Sequence, residues 1–437
     1  MEETHIFYNW IKRSRIVSLI FSFCLLSVPA YAQFAEGDGS KNNPYQVATL
    51  EQLQAIGESD FLDKHFIQTE DIDASVTINW EGGKGFRPIG SSSSVFSGSY
   101  DGQGFVISNL VINRTEDDHI GLFGVTSESV IKHVHLNDID IHGRDWVGGL
   151  VGSGHSVLIE YSKVSGQIIG NNYVGSLAGG GYNQVNYSYS QANVNGHNYV
   201  GGLIGSYGII TESFSTGNVT GNEIVGGLVG ANLYIHSSYA TGNVAGNSRV
   251  GGLVGENEAT PTGDYAVIVQ SYATGKVTGD DLAGSLVGNR IANMLSNYWS
   301  SQSSGRDNWI GSNYNNKLLY LEKVSPSNGE EEWIGSESNR ERLPVSITTS
   351  RTNLDRFYQT AKYGSADDPS IQLFGPPIVD VEDLAINQMQ GQNAWIYMHK
   401  LDFVDTWQLT DGYPRLRWES PVDTVQAPDA AIIWVDR

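Results

Sequence analysis

The stretch Lys132-His-Val-His-Leu-Asn-Asp-Ile-Asp-Ile-His-Gly-Arg-Asp145 is the densest set of chemistry-bearing side chains in the chain. Strand alternation puts His133 and His135 on one face; after a corner it puts Asp138, Asp140 and His142 on one face of the next strand, with Ile139 and Ile141 inside. Imidazoles and carboxylates so arranged could hold a divalent cation. The same alternation is what any coil with a solvated outer face requires, so these five are a metal candidate and nothing stronger. No other cofactor is indicated.

Glycosidic chemistry would need paired carboxylates, or a base beside a neutralising cation. Glu160, Glu212, Glu223 and Glu256 share no register, so no pair is visible. From 126 to 300 the basic residues are Lys132, Arg144, Lys163, Arg249, Lys276 and Arg290, and their scatter argues against a lyase that neutralises uronates. Candidate binding residues are Trp146, Tyr173 and Tyr199, with Arg351, Asp355 and Tyr358 from the region that follows.

What must position these residues is a repeat. The cores Gly121-Leu-Phe-Gly124, Gly149-Leu-Val-Gly152, Ser176-Leu-Ala-Gly179, Gly202-Leu-Ile-Gly205, Gly227-Leu-Val-Gly230, Gly252-Leu-Val-Gly255 and Ser285-Leu-Val-Gly288 have final glycines spaced 28, 27, 26, 25, 25 and 33. The long last interval is one unit plus an insertion around 259–264. A second element keeps step, with Tyr189, Phe214, Tyr239 and Tyr272 each opening a short run that ends in Val. β-Branched and aromatic residues in runs of three to six, punctuated by Gly and Asn, form strands. Such strands bury nothing alone. Coiled so that each pairs in parallel with the next at about 4.8 Å, they make an all-β parallel solenoid.

In that coil the leucines and one valine per copy should stack into a dry column, and the glycines should sit where backbone leaves no room for a Cβ. Tyr189, Phe214, Tyr239, Tyr272 and Tyr298 should form an aromatic ladder, placed in the interior by parity with Ile210, Ile235 and Ile268. Asn193, Asn218 and Asn243 should form a corner ladder in which each amide bonds its neighbour's amide. Thr49-Leu-Glu-Gln52 is a capping box that opens a short helix. The expected divisions are a signal segment over 1–32, an N-terminal cap with a short helix over 33–95, the repeats over 96–300, an irregular insert over 301–394 and an aromatic-rich cap closing the far end over 395–437.

Lys12, Arg13 and Arg15 precede an apolar run and Ala30-Tyr-Ala32, the pattern of a secretory signal cut after Ala32. The expected address is therefore secreted, extracellular or cell-surface, with the periplasm as the other destination of such a signal. Export would leave a soluble protein without a membrane span, and a monomer is the simplest expectation. The one cysteine, Cys24, lies within that segment. Removing residues 1–32 leaves 23 basic against 46 acidic side chains. That surface repels nucleic acid and anionic lipid. It also disfavours acidic polysaccharides unless a local basic patch overrides it.

The repeat cores resemble the GLUG motif, named for its Gly-Leu-aliphatic-Gly centre, which occurs in bacterial surface and secreted proteins, among them adhesins and the N-terminal regions of zinc metallopeptidases that cut immunoglobulin A. Residues 37–74, 96–110 and 411–418 resemble the usual neighbours of this motif. The resemblance implies a right-handed parallel β-helix outside a bacterium and brings no catalytic residues. The peptidases' His-Glu-x-x-His site does not occur in the sequence. The expected function is a surface binding or adhesion protein for glycans or another surface macromolecule; the alternative is a polysaccharide-degrading enzyme on the same scaffold.

Overall fold

The computed structural model describes residues 34–257, 266–289, 293–308, 310–311, 319–324, 332–337, 379–398, 400–403 and 406–419. The expected signal segment, the 259–264 insertion and Arg351, Asp355 and Tyr358 lie outside those residues.

One rung shows the plan. Asn198–Gly201, Ile204–Thr211, Phe214–Ser215 and Val219–Thr220 are strands separated by tight bends. Each pairs in parallel with its equivalent in the next rung, Glu223–Gly226, Val229–His236, Tyr239–Ala240 and Val244–Ala245. Valines meet valines: Val147, Val174, Val200, Val225 and Val250 are successive partners. The Leu203 N–H donates to Leu228 O, Leu228 to Leu253 and Leu253 to Leu286, and all four side chains are fully buried. The result is a parallel β-solenoid of about seven turns. Register survives the long interval, since Val229–His236 pairs first with Val254–Asn257 and then with Val267–Val269.

The glycines act as expected. A Cβ on Gly226 would lie 2.0 Å from Val229 O and 2.7 Å from Gly255 N; one on Gly227 would lie 2.1 Å from Gly252 O. The hexapeptide Val-Gly-Gly-Leu-Val-Gly thus turns with its own backbone and the next rung's in contact.

The stack begins earlier than residue 96. Phe66 pairs with Tyr45 and Tyr100, and Tyr100 with Ile131, so the N-terminal cap already contributes rungs. Its helix Leu50–Ala55 has the capping box, with Thr49 Oγ1 accepting from Gln52 N–H and Gln52 Oε1 from Thr49 N–H.

Three side-chain rows run along the coil. A serine row, not anticipated from the sequence, is buried throughout: the N–H of Ser162, Ser188, Ser213 and Ser238 donates to the hydroxyl of the next serine at 3.0–3.2 Å, ending at Ser271. Each hydroxyl donates in turn to the carbonyl two residues back, so each of these buried hydroxyls both donates and accepts. The asparagine row exists in modified form. Asn193, Asn218 and Asn243 accept chiefly from the backbone N–H of the next rung, each at 3.1 Å.

The aromatic row stacks as expected, with centroids 4.7–5.0 Å apart and planes within 7°. It does not lie in the interior. Glu212, Ser237 and Gln270 have positive φ (45–48°), which resets strand alternation between the inward isoleucines and the aromatics. Ser215, Ala240 and Ala273 point inward instead, and the rings pack in a second core on the outside of the coil. The lid of that core is the C-terminal segment. Val379–Asp383 pairs with the last rung at Asn293–Trp299, and the described residues from 384 to 419 fold back along the flank over the ladder. The expected end plug is therefore mainly a lateral strap.

Two substitutions test this architecture. Gly226→Ala should destabilise the chain by about 1–3 kcal/mol in urea unfolding, as overpacking does. Ser238→Ala removes the acceptor for the Ser213 N–H and should cost about 1–3 kcal/mol, with faster hydrogen exchange at the Ser213 amide.

Candidate functional site

Two columns on the flank define a lane. The first is Val106, His135, Lys163, Tyr189, Phe214, Tyr239 and Tyr272, each paired with the next. The second occupies the bend before it: His133, Tyr161 and Tyr187 are stacked at 5.0–5.3 Å, and all three have positive φ. Over the later rungs the strap fills the lane. Trp407 lies 5.6 Å from Tyr272 and 6.0 Å from Tyr239, the Tyr272 hydroxyl donates to Pro414 O at 2.6 Å, and Trp418 Nε1 donates to Glu212 O at 2.9 Å.

Over the earlier rungs the lane is a groove of about 690 Å³. Its floor carries His135, Lys163, Tyr189 and Phe214, and Tyr161 and Tyr187 form one wall. Gln103, Gln191 and Thr216 add hydrogen-bonding groups, and the strap supplies Arg415, Trp418 and Glu419. The Trp418 ring stands almost perpendicular to Tyr187 (88°, 6.3 Å) and tilted to Tyr189 and Phe214. Trp418 thus stands at an angle to rings that are otherwise stacked face to face with their column neighbours.

Burial pushes the Glu419 carboxyl up to about 7, against the opposing effects of the Leu416 N–H, the Tyr239 hydroxyl and Arg415. The Tyr239 hydroxyl donates to that carboxyl at 3.1 and 3.2 Å, and burial holds its own pKa well above the usual phenol range. Burial, aided by Lys163, lowers His135 to about 4, so it is a neutral imidazole near neutral pH.

The five metal candidates do not converge. Among the described residues no group of three or more His, Cys, Asp or Glu side chains could hold a metal ion. His133 bonds Asp101 at 3.0 Å and His135 lies on the groove floor, whereas His142 bonds Asp140 at 2.9 Å on the same outward strand. Asp138 has φ 53°, and Leu136 and Ile139 both point inward around it, so alternation breaks within the stretch. That break falls at the corner between the two faces; beyond it Asp138, Asp140 and His142 point outward while Ile139 and Ile141 are buried.

Trp146, Tyr173 and Tyr199 do stand together, but face to face, at 4.1 and 4.8 Å with planes 16° and 19° apart. Each ring face is covered by its neighbour, so this row offers a sugar mainly edges. Of the groove residues the sequence reading missed, Lys163 could have been found by extending the aromatic register one unit back. Trp418 and Glu419 are some 180–206 residues from their partners, and no local pattern connects them.

A carboxyl whose pKa is raised by folding favours the folded form below its ordinary range and weakens it as pH climbs towards and past 7. Docking of the strap should therefore loosen between about pH 5 and pH 8, read as falling hydrogen-exchange protection factors, corrected for the intrinsic rate at each pH, at residues 406–419. Glu419→Gln should abolish the pH dependence.

Among known families, the model of the GLUG motif matches residues 246–278. Halomucin of Haloquadratum walsbyi is 38% identical over 150 residues, which is 33% of this chain and 2% of that protein. A proposed Gly-rich membrane protein of Evansella cellulosilytica is 36% identical over 162 residues, 34% of this chain and 19% of that protein. The chain thus spans only a small part of the relatives it matches. Solved structures similar to it include a proposed immunoglobulin A1 protease from Bacteroides ovatus (TM-score 0.47, 17% identity, 88% of this chain and 96% of that one). An IgA1 protease is similar at TM-score 0.44 and 15% identity over 72% of this chain and 26% of that one. The GLUG motif thus matches one stretch of the coil, and cores of the same pattern stack in register along the rest of it.

Proposed function

We propose that this chain is a cell-surface or secreted β-solenoid that binds glycans in the groove between its two side-chain columns. The observation that carries the reading is the groove itself, where the Trp418 ring stands across from the Tyr161 and Tyr187 wall above a floor of Tyr189 and Phe214, with glutamine amides and a threonine hydroxyl beside them. Apolar ring faces beside convergent hydrogen-bonding groups match the alternating apolar and hydroxylated faces of a sugar. The likeness to halomucin and to a proposed Gly-rich membrane protein supports a surface setting.

The alternative, a polysaccharide-degrading enzyme, has less support. Glu419 is the one carboxylate among the described residues that line the groove, and hydrolysis by the usual route needs two.

A glycan array probed with the full chain should show retained oligosaccharides, without release of reducing ends. Trp418→Ala and Tyr161→Ala, on opposite walls, should each weaken retention about tenfold while circular dichroism is unchanged, since losing a stacking ring costs on the order of 1–3 kcal/mol. Product formation would favour the enzyme reading. Equal retention by both variants would place binding elsewhere.

A further inference from the structure

The chain carries 26 basic and 48 acidic side chains, yet the groove gathers cations. Lys132, Arg144 and Arg249 on the coil are neutralised by Asp101, Asp118 and the Glu223–Glu256 pair. Lys163 on the floor and Arg415 on the strap have no carboxylate within 4.0 Å among the described residues. His133, bonded to Asp101, stands on the wall beside them.

We infer that the groove is selective for acidic saccharides, of the uronic-acid class, whose carboxylates pair with Lys163 and Arg415 while their ring faces meet Trp418. The inference rests on the glycan-binding reading and goes further by assigning the ligand's charge. Lys163 and Arg415 approach the groove from opposite partners, coil and strap, so the site is complete only when the strap is docked. A partly desolvated anion between two cations gains more than the same pair would in bulk water. A general negative surface around a positive groove also discriminates against long acidic polymers that do not enter it.

Glu419 tunes the site. Protonated, it is neutral beside the ligand; ionised, it repels the ligand's carboxylate and partly offsets the Arg415 charge, in surroundings it shares with the Tyr239, Tyr189 and Tyr272 hydroxyls. Burial keeps its carboxyl close to neutrality in titration, so uronate affinity falls as pH rises through that range, whereas His135 stays neutral throughout.

The test titrates the full chain with a tetragalacturonide, its methyl ester and a poly-aspartate peptide of similar charge, by calorimetry at low salt. Expected is binding of the acidic sugar at least tenfold tighter than its uncharged ester, lost about tenfold by Lys163→Gln or Arg415→Gln and restored by Lys163→Arg. Affinity should be higher at about pH 6 than at about pH 8, and Glu419→Gln should flatten that difference. Equal affinity for acid and ester would overturn the charge selectivity and leave the glycan reading standing. Binding of poly-aspartate with neither sugar bound would overturn both.

Discussion

Parallel pairing of each rung with the next is the constraint from which everything else in this molecule follows. A strand of two to ten residues gains its hydrogen bonds only from the rungs above and below, so any residue that disturbs vertical spacing costs the ladder on both sides. The repeated glycines meet that demand where backbone crosses backbone at under 3 Å from a would-be Cβ. The same spacing forces like side chains over like. That is tolerable for valines and leucines inside, useful for serine hydroxyls at a buried bend, and favourable for aromatic rings, which stack at 4.7–5.0 Å.

Register also explains why a groove exists. Two columns one bend apart run parallel for the length of the coil, and the space between them is a lane. The strap fills it over the rungs from Glu212 to Tyr298, where the floor is aromatic and needs cover. Over the rungs where the floor changes to Lys163 and His135, polar side chains remain open to solvent. The change from Tyr189 to Lys163 at one column position is thus the switch from core to site.

Much of the fold was readable in the letters, because periodicity reports vertical stacking directly: the Leu column, the glycine contacts, the capping box and the aromatic ladder all follow from spacing. Side-chain facing was less readable. Alternation fails wherever a non-glycine residue adopts positive φ, and Glu212, Ser237, Gln270 and Asp138 give no local sign of doing so. For that reason alternation alone puts the aromatic ladder inside the coil, where the structure instead has Ser215, Ala240 and Ala273. The Ser188, Ser213, Ser238 and Ser271 row was available one position before each ladder aromatic, yet a serine in an otherwise apolar strand does not announce its partner. The site's strap residues could not be seen at all, since Trp418 and Glu419 meet the coil through tertiary packing alone.

The most direct test of the stacking is a distance between residues far apart in sequence but two rungs apart in space. Thr220 pairs with Ala245, and Ala245 with Thr278. Nitroxides on Thr220→Cys and Thr278→Cys, in a chain with Cys24→Ser, should give a narrow electron paramagnetic resonance distance centred near 10 Å, about two strand spacings. A broad distribution centred beyond about 20 Å, which exceeds those two spacings twofold, would contradict in-register rungs and the lane that depends on them.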